Sequence, residues 1–282
     1  MSAFSDLSIG SSSRTRVTNA IAMASQRTGM DFAYLLGQAK IESSLNPTAK
    51  AATSSAKGLY QFIDQSWLAV IDQHGAQHGL GWAADAIQRG SNGRYYVSDP
   101  QVRQQILDLR NHPETASVMA AEHASDNKTY LEGRLGREAE PVDLYLAHFL
   151  GVGGASKFLS AHASNPNGRA AAMFPSAAAA NRSIFYDKSG AARSFADIRQ
   201  KFAAKLESGV ASAMAGGTGD GSRWSAASDG ATPGRSVQPA DYVRVETERL
   251  QQSSQNLTAD ELLRPQPATA RLAYLMLATF GR

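Results

Sequence analysis

Apolar residues at helical spacing, interrupted repeatedly by proline or glycine, are the feature that most limits how this chain can fold. Residues 17–24 place Val, Ala, Ile and Ala at intervals of three or four and predict a first helix. Asp31 is suited to cap a second helix, which Pro47 ends. Further helices are predicted around Trp67 and near 99–110, 114–133, 141–149, 153–163 and 194–207. Because strand-like alternation is nearly absent, the predicted fold class is all-α.

Changes in composition divide the chain into four parts. Residues 1–13 are polar and predict a flexible lead, whereas residues 14–207 have the density of a folded domain. Gly, Ser and Ala dominate residues 208–239, which is typical of a linker. Residues 240–282 predict a tail of short helical pieces that ends in TARLAYLMLATF. Two interpretations of this tail stay open: a small docking helix, or a segment that binds a partner protein or the cell envelope.

Charge and residue content exclude several kinds of site. The net charge is +3 in 282 residues, so a broad nucleic-acid face is not expected, although an anionic polymer such as cell-wall glycan would suit a mildly basic protein. The absence of cysteine excludes disulfides, thiolate metal sites and cysteine nucleophiles. His74 and His78 lie four apart, but glycines interrupt the segment and no metal site is predicted. The sequence predicts neither a secretory signal peptide nor a transmembrane helix.

Glu42 is an acid at the end of an apolar helix face. Positions seven, four and three before it are Leu35, Gln38 and Ala39, which share its face. Lost hydration and the negative end of the helix dipole would both raise the pKa of a carboxyl group there. A carboxylic acid that keeps its proton can protonate a leaving oxygen, as the cleavage of a glycosidic bond requires. Ser43 is expected to orient Glu42 or cap the loop; the alternative is that Glu42 is an ordinary exposed acid.

A loop is predicted over residues 48–63, with a small β-turn, and it contains the run Gly-Leu-Tyr-Gln-Phe. Gly58 has no side chain, so the backbone there can come close to a ligand. Tyr60 and Phe62 would offer flat apolar surface to a sugar ring, and Gln61 offers both a hydrogen-bond donor and an acceptor. The loop is therefore a candidate sugar-binding segment.

A third motif, YLAHFLG at residues 145–151, completes a recognisable pattern. With the Glu-Ser that ends the second helix and the GLYQ of the loop, it resembles the lytic transglycosylase domain of the soluble, Slt-type class. Ala147 and Gly151 match the Ala-Tyr-Asn-x-Gly motif of that family, and Tyr186 in SIFYDKSG corresponds to its site tyrosine. The run DLYLAHFLGVGGA is similar to single-domain members associated with flagella or secretion systems. The resemblance covers about residues 15–205.

The resemblance implies a lysozyme-like fold and cleavage of the β-1,4 bond between N-acetylmuramic acid and N-acetylglucosamine. Glu42 would protonate the glycosidic oxygen and then, as a carboxylate, draw the proton from the muramoyl C6 hydroxyl, leaving 1,6-anhydro ends. No cofactor or metal is implied. The expected location is the periplasm or cell envelope, with peptidoglycan strands as partner and a flagellar or secretion-system protein on the tail. The expected substrate-binding residues are Ser43, Gly58, Tyr60, Gln61, Phe62, His148, Phe149 and Tyr186.

Two departures from the family motif keep other functions open. Phe149 replaces the asparagine and His148 replaces the tyrosine, so a contact to the sugar or to the catalytic acid is missing or is supplied by His148. If water replaced the C6 hydroxyl as nucleophile, the protein would be a hydrolytic muramidase and would need a base, for which Asp64, Asp72 and Asp143 are candidates. From other classes, a non-catalytic glycan-binding component of a flagellar or secretion assembly and a phage lysis enzyme also stay open.

Overall fold

The computed structural model describes the backbone of residues 3–215 and the side chains of residues 13–215. These residues are predominantly helical, which confirms the predicted all-α class. The helices are α1 Ala3–Thr28, α2 Phe32–Ser43, α3 Asp64–His74, α4 Gly81–Ala86, α5 Pro100–Asp108, α6 Pro113–Leu135, α7 Pro141–Leu150, α8 Val152–Ser164, α9 Ala170–Met173, α10 Pro175–Ala180, α11 Arg182–Phe185 and α12 Phe195–Ala215. The 3₁₀ turns Gly75–His78 and Leu109–Asn111 follow α3 and α5, and the strands β1 Gln88–Arg89 and β2 Tyr95–Tyr96 form an antiparallel hairpin.

The long helices begin where short-range chemistry favours a start. The Asp31 side chain accepts a hydrogen bond from the Tyr34 amide at 2.7 Å, so the predicted cap of α2 is confirmed. Proline occupies the first turn of α5, α6 and α7, where its missing N–H costs nothing. The α7 start also has a capping box, in which Glu140 and Asp143 each accept from the other's backbone N–H.

Two boundaries differ from the sequence prediction. The α1 helix begins at Ala3, within the segment from which the sequence predicted a flexible lead. The α12 helix continues to Ala215, eight residues beyond 207, which was the predicted end of the folded domain. Gly209 and Ala213 are buried in this extension. Packing against other helices therefore stabilises a helical segment whose composition alone is typical of a linker. The rest of the predicted linker and the predicted tail lie outside the described residues.

The long helices pack against one another and form the core of the described residues. Helix α1 packs against α6, α2 against α12, and α7 against both α8 and α12. Adding a Cβ at Gly37 would bring it within 2.8 Å of Val210 Cγ2, and one at Gly209 within 3.1 Å of the Gly37 carbonyl oxygen. These two glycines therefore allow α2 and α12 to approach closely. None of the helices in residues 3–215 combines the length and apolar character that a membrane crossing needs.

Candidate functional site

Glu42 lies at the C-terminal end of α2, where the chain turns sharply. Ser44 and Leu45 follow it with φ values of 55° and 66°, in the left-handed region that non-glycine residues rarely adopt. Gln61 is the remaining non-glycine residue with positive φ among the described residues. Residues in strained backbone conformations concentrate at functional sites, so the end of α2 and the loop at residues 58–62 are candidate site segments.

Two side chains of α7 hold one oxygen of Glu42. The Tyr145 hydroxyl donates a hydrogen bond to Glu42 Oε1 at 3.3 Å, and His148 Nε2 lies 3.4 Å from the same oxygen. The rings of Tyr145 and His148 are stacked, with centroids 6.1 Å apart. The Glu42 side chain is 20% exposed and that of His148 is 24% exposed. The carboxyl group is thus partly buried, and both contacts from α7 are made to its Oε1.

Helix α12 adds a positive charge behind Tyr145. Lys205 Nζ donates a hydrogen bond to the Tyr145 hydroxyl at 3.2 Å and lies 5.6 Å from the centre of its ring. The site is consequently assembled from α2, α7 and α12, and it depends on the close approach of α2 and α12 at their glycines.

The electrostatics of Glu42 correct the sequence prediction of a raised pKa. Burial does raise the pKa of Glu42, as expected. Hydrogen bonding to His148, the charges of His148 and Lys205, and the Tyr145 hydroxyl outweigh that effect, so the pKa lies below its usual value. Burial, followed by the charge of Glu42, raises the pKa of Tyr145, which therefore stays a neutral donor. Without a ligand, Glu42 is a carboxylate at neutral pH.

Gly58 approaches protein backbone, and this is a correction to its expected ligand contact. Its φ is +81°, and a Cβ there would lie 2.0 Å from the Arg110 carbonyl oxygen. The Arg110 guanidinium donates to the carbonyl oxygens of Ser55 and Phe62 at 2.9 Å each. Position 58 needs glycine because the Arg110 carbonyl oxygen occupies the space that a Cβ would fill.

The aromatic residues of the loop belong to the core, which also corrects the sequence interpretation. Tyr60 is 1% exposed and Phe62 is 6% exposed, so neither presents a face to a sugar in this structure. The Phe62 ring packs edge-on against Trp67 and His123. Gln61 is partly exposed, but its Nε2 donates to the carbonyl oxygens of Ala49 and Gly58, at 3.2 and 2.8 Å. The aromatic residues of the loop motif therefore belong to the core, and the Gln61 side chain binds backbone carbonyl oxygens of the loop region.

The other expected site residues have varied surroundings. The Ser43 hydroxyl donates to the Ala39 carbonyl oxygen at 3.0 Å, so it binds its own helix rather than Glu42. Phe149 packs against Phe202 and Phe185, with ring centroids 4.9 and 6.5 Å away, which places an apolar contact where the family motif has asparagine. Tyr186 follows Phe185 in the chain, and the Arg182 guanidinium lies 4.8 Å from its ring centre.

His74 at the end of α3 and His78 in the 3₁₀ turn that follows it pair with carboxylates of α6. His74 Nε2 lies 2.8 Å from Asp126 Oδ2, and His78 Nε2 lies 2.7 Å from Glu122 Oε1. Among residues 13–215, whose side chains are described, no group of three or more potential ligands has an arrangement suited to a metal ion. Burial first, and then the nearby charge of His148, lowers the pKa of His123, so this ring is neutral at neutral pH.

Two of the three acids considered as bases are paired with arginines, and the third is exposed. Asp143 is fully buried and forms ion pairs with Arg137 at 2.7 Å and Arg199 at 3.1 Å. Asp64 pairs with two arginines, one of them Arg110 at 3.0 Å, and Asp72 is exposed on α3. None of the three is among the contacts of Glu42 in the described residues.

Sequence reasoning missed Tyr145, Lys205 and Tyr34 as site residues. Tyr145 was within reach, because it precedes His148 by three positions and so shares its helix face. Burial raises the pKa of Tyr34, and electrostatic interactions with Tyr60, Tyr145 and Glu42 raise it further. Tyr34 therefore lies close enough to the site to interact with Glu42. No sequence pattern around Lys205 indicates that this residue belongs to the site. No protein-family model matches the chain, so the site is interpreted from its geometry and its motifs.

Proposed function

We propose that this protein is a peptidoglycan lytic transglycosylase with a lysozyme-like fold and that Glu42 is its catalytic acid and base. The observation that carries the proposal is the half-buried carboxylate at the end of α2, held at Oε1 by Tyr145 and His148. Among the described residues, the side chains that contact this carboxyl group are Tyr145 and His148, and neither carries a carboxylate. A reaction that takes its nucleophile from the substrate needs one carboxyl group.

The chemistry uses one carboxyl group twice, first as an acid and then as a base. Protonated Glu42 gives its proton to the glycosidic oxygen, and the bond between that oxygen and C1 of the muramoyl residue breaks. The Glu42 carboxylate then accepts the proton of the C6 hydroxyl, whose oxygen bonds to C1 and closes the 1,6-anhydro ring. The charged and polar groups around Oε1 would stabilise the carboxylate between these steps.

The positions of the acids favour this route over hydrolysis. A muramidase needs a second group that activates water or acts as the nucleophile in its place. Asp64 and Asp143 pair with arginines, and Asp72 is exposed on α3 and is not among the contacts of Glu42 in the described residues. Hydrolysis and a purely glycan-binding role remain the alternatives that the experiment must separate. The cell envelope as location, and a flagellar or secretion-system partner for residues 240–282, are proposals from the resemblance alone.

Substitution of Glu42 by glutamine tests the proposal directly. The wild type should clear a peptidoglycan zymogram and release fragments with anhydro ends, which are one water lighter than reducing ends. Glu42→Gln should lose clearing, at least about 100-fold, because amide cannot transfer the proton. Glu138→Gln is the matched control, since its side chain is 85% exposed.

Three outcomes would contradict the proposal. Clearing by the Glu42→Gln variant would show that another residue is the acid. Reducing ends would identify a muramidase. Binding to insoluble peptidoglycan without release of any fragment from the wild type would identify a non-catalytic component.

A further inference from the structure

Lys205 is an exposed residue of α12, yet its charged end reaches the centre of the site. Its Nζ lies 3.2 Å from the Tyr145 hydroxyl oxygen and 5.6 Å from the centre of the Tyr145 ring. The same hydroxyl oxygen lies 3.3 Å from Glu42 Oε1. The three side chains therefore form two consecutive hydrogen bonds, which connect α12 through α7 to the end of α2.

Packing between α7 and α12 holds Lys205 and Tyr145 together. Phe202 precedes Lys205 by three positions, so the two share a face of α12, and the Phe202 ring packs edge-on against Tyr145 with centroids 5.4 Å apart. Three positions before Phe202, the Arg199 guanidinium pairs with buried Asp143 of α7 at 3.1 Å. These contacts fix the register of α12 against α7, and with it the position of the Lys205 backbone relative to Tyr145.

The donors and acceptors in this chain of hydrogen bonds fix the direction of the Tyr145 O–H bond. A lysine ammonium group carries three donors and no acceptor, whereas a tyrosine hydroxyl has one proton and two lone pairs. Lys205 must therefore donate to the Tyr145 oxygen, and the single hydroxyl proton is left for Glu42 Oε1. Tyr145 is 3% exposed and His148 stacks on its ring, so rotation of the hydroxyl is its main remaining freedom.

The direction of this O–H bond matters when Glu42 is protonated. A carboxylic acid has one oxygen that carries the proton and one that only accepts. If the hydroxyl turned away, the Tyr145 oxygen could accept a proton carried on Oε1, and that proton would point to the protein instead of a glycosidic oxygen. Lys205 opposes this arrangement, because a cation beside the hydroxyl oxygen favours the rotation in which the hydroxyl proton points away from the cation.

We propose that Lys205 is a positioning residue, which keeps the Tyr145 hydroxyl a donor to Oε1 and thereby places the catalytic proton of Glu42 on Oε2. Lys205 acts through Tyr145, since its hydrogen bond is to that hydroxyl. The inference rests on the proposed function. It assigns a role to a residue of α12 that lies outside the three motifs of the resemblance.

Substitution of Lys205 by methionine tests the inference in the full chain. Methionine keeps most of the apolar length of the side chain but has neither donor nor charge. With soluble peptidoglycan fragments as substrate, kcat should fall about threefold to tenfold, as expected for the loss of one hydrogen bond. KM should change less than about twofold, because the direction of the hydroxyl affects proton transfer and not the binding of the glycan.

Two further variants separate the hydrogen bond from a structural effect. Lys205→Arg retains N–H donors and the positive charge, so its kcat should stay within about twofold of the wild-type value. Lys201→Met, at an exposed lysine four positions earlier on α12, removes the same charge away from Tyr145 and should leave both kcat and KM unchanged.

The stability of the folded protein tests the connection through Tyr145 without relying on activity. Lys205→Met and Glu42→Gln are combined in a double-mutant cycle, in the wild-type chain and in a Tyr145→Phe background, and urea denaturation gives each unfolding equilibrium constant. The coupling between positions 205 and 42 should be about threefold with tyrosine present and less than about 1.5-fold with phenylalanine. Coupling that phenylalanine leaves unchanged, or that is absent from both backgrounds, would overturn the inference.

The kinetic outcomes distinguish this inference from the proposed function. Equal kcat for Lys205→Met and the wild type would refute the positioning role and leave Glu42 as the catalytic acid. A raised KM with unchanged kcat would show that Lys205 binds substrate instead. If the wild type released no anhydro fragments, the proposed function would be wrong, and the stability cycle would still decide whether Lys205 acts through Tyr145.

Discussion

Replacement of Gly58 by alanine should destabilise the protein by about 2–4 kcal/mol. Two separate effects act at this position. The backbone has φ of +81°, where a Cβ is strained, and that Cβ would lie 2.0 Å from the Arg110 carbonyl oxygen. Since ordinary contact begins at 3.4 Å, the loop and Arg110 must separate by about 1.4 Å (3.4 − 2.0).

The magnitude follows from adding the two effects. Alanine at positive φ costs about 1 kcal/mol, and forcing additional atoms into a packed site costs about 1–3 kcal/mol. The separation would also stretch the hydrogen bonds from the Arg110 guanidinium to the carbonyl oxygens of Ser55 and Phe62, both 2.9 Å long. The variant should therefore lose stability and disturb the loop at residues 58–62.

Urea denaturation followed by circular dichroism measures the loss, and Gly79 provides a matched control. Gly79 has nearly the same φ, +77°, but a Cβ there meets nothing within 4 Å. Gly79→Ala should cost about 1 kcal/mol, which isolates the backbone strain from the steric clash. If Gly58→Ala were no less stable than Gly79→Ala, the close approach to Arg110 would not be what selects glycine.

Three other substitutions test the packing and the electrostatics. Trp67→Phe should cost about 2 kcal/mol in urea denaturation, because the buried indole N–H donates to the Ile106 carbonyl oxygen at 2.7 Å. Asp143→Asn should cost about 2–3 kcal/mol, since its buried carboxylate pairs with two arginines, whereas exposed Glu138→Gln should cost less than about 0.5 kcal/mol. Because the folded-state pKa of Glu42 lies below 4.5, its carboxylate contributes stability above pH 4.5 that is lost as the pH falls through the folded value. Glu42→Gln should therefore weaken the acid dependence of Tm below about pH 5, and an unchanged dependence would contradict the lowered pKa.

Local patterns in the sequence determine the helices and the position of the acid. Helical spacing and the Asp31 cap were sufficient to predict α2, with Glu42 in its last turn. The predicted helices near 99–110, 114–133, 141–149, 153–163 and 194–207 correspond to α5 to α8 and α12. The short helices α4 and α9 to α11 and the β hairpin were missed, because segments of two to six residues carry too little periodicity.

The tertiary structure alone decided what surrounds Glu42 and therefore its charge. Tyr145 lies 103 residues away in sequence, and no periodicity within one helix relates two residues so far apart. Burial, which helical spacing does indicate, would raise the pKa of Glu42. The lowered pKa comes from His148 and Lys205, which packing of α7 and α12 brings to α2. Packing also buries Tyr60 in the core. The sequence of a short loop does not specify which of its side chains are buried and which are exposed.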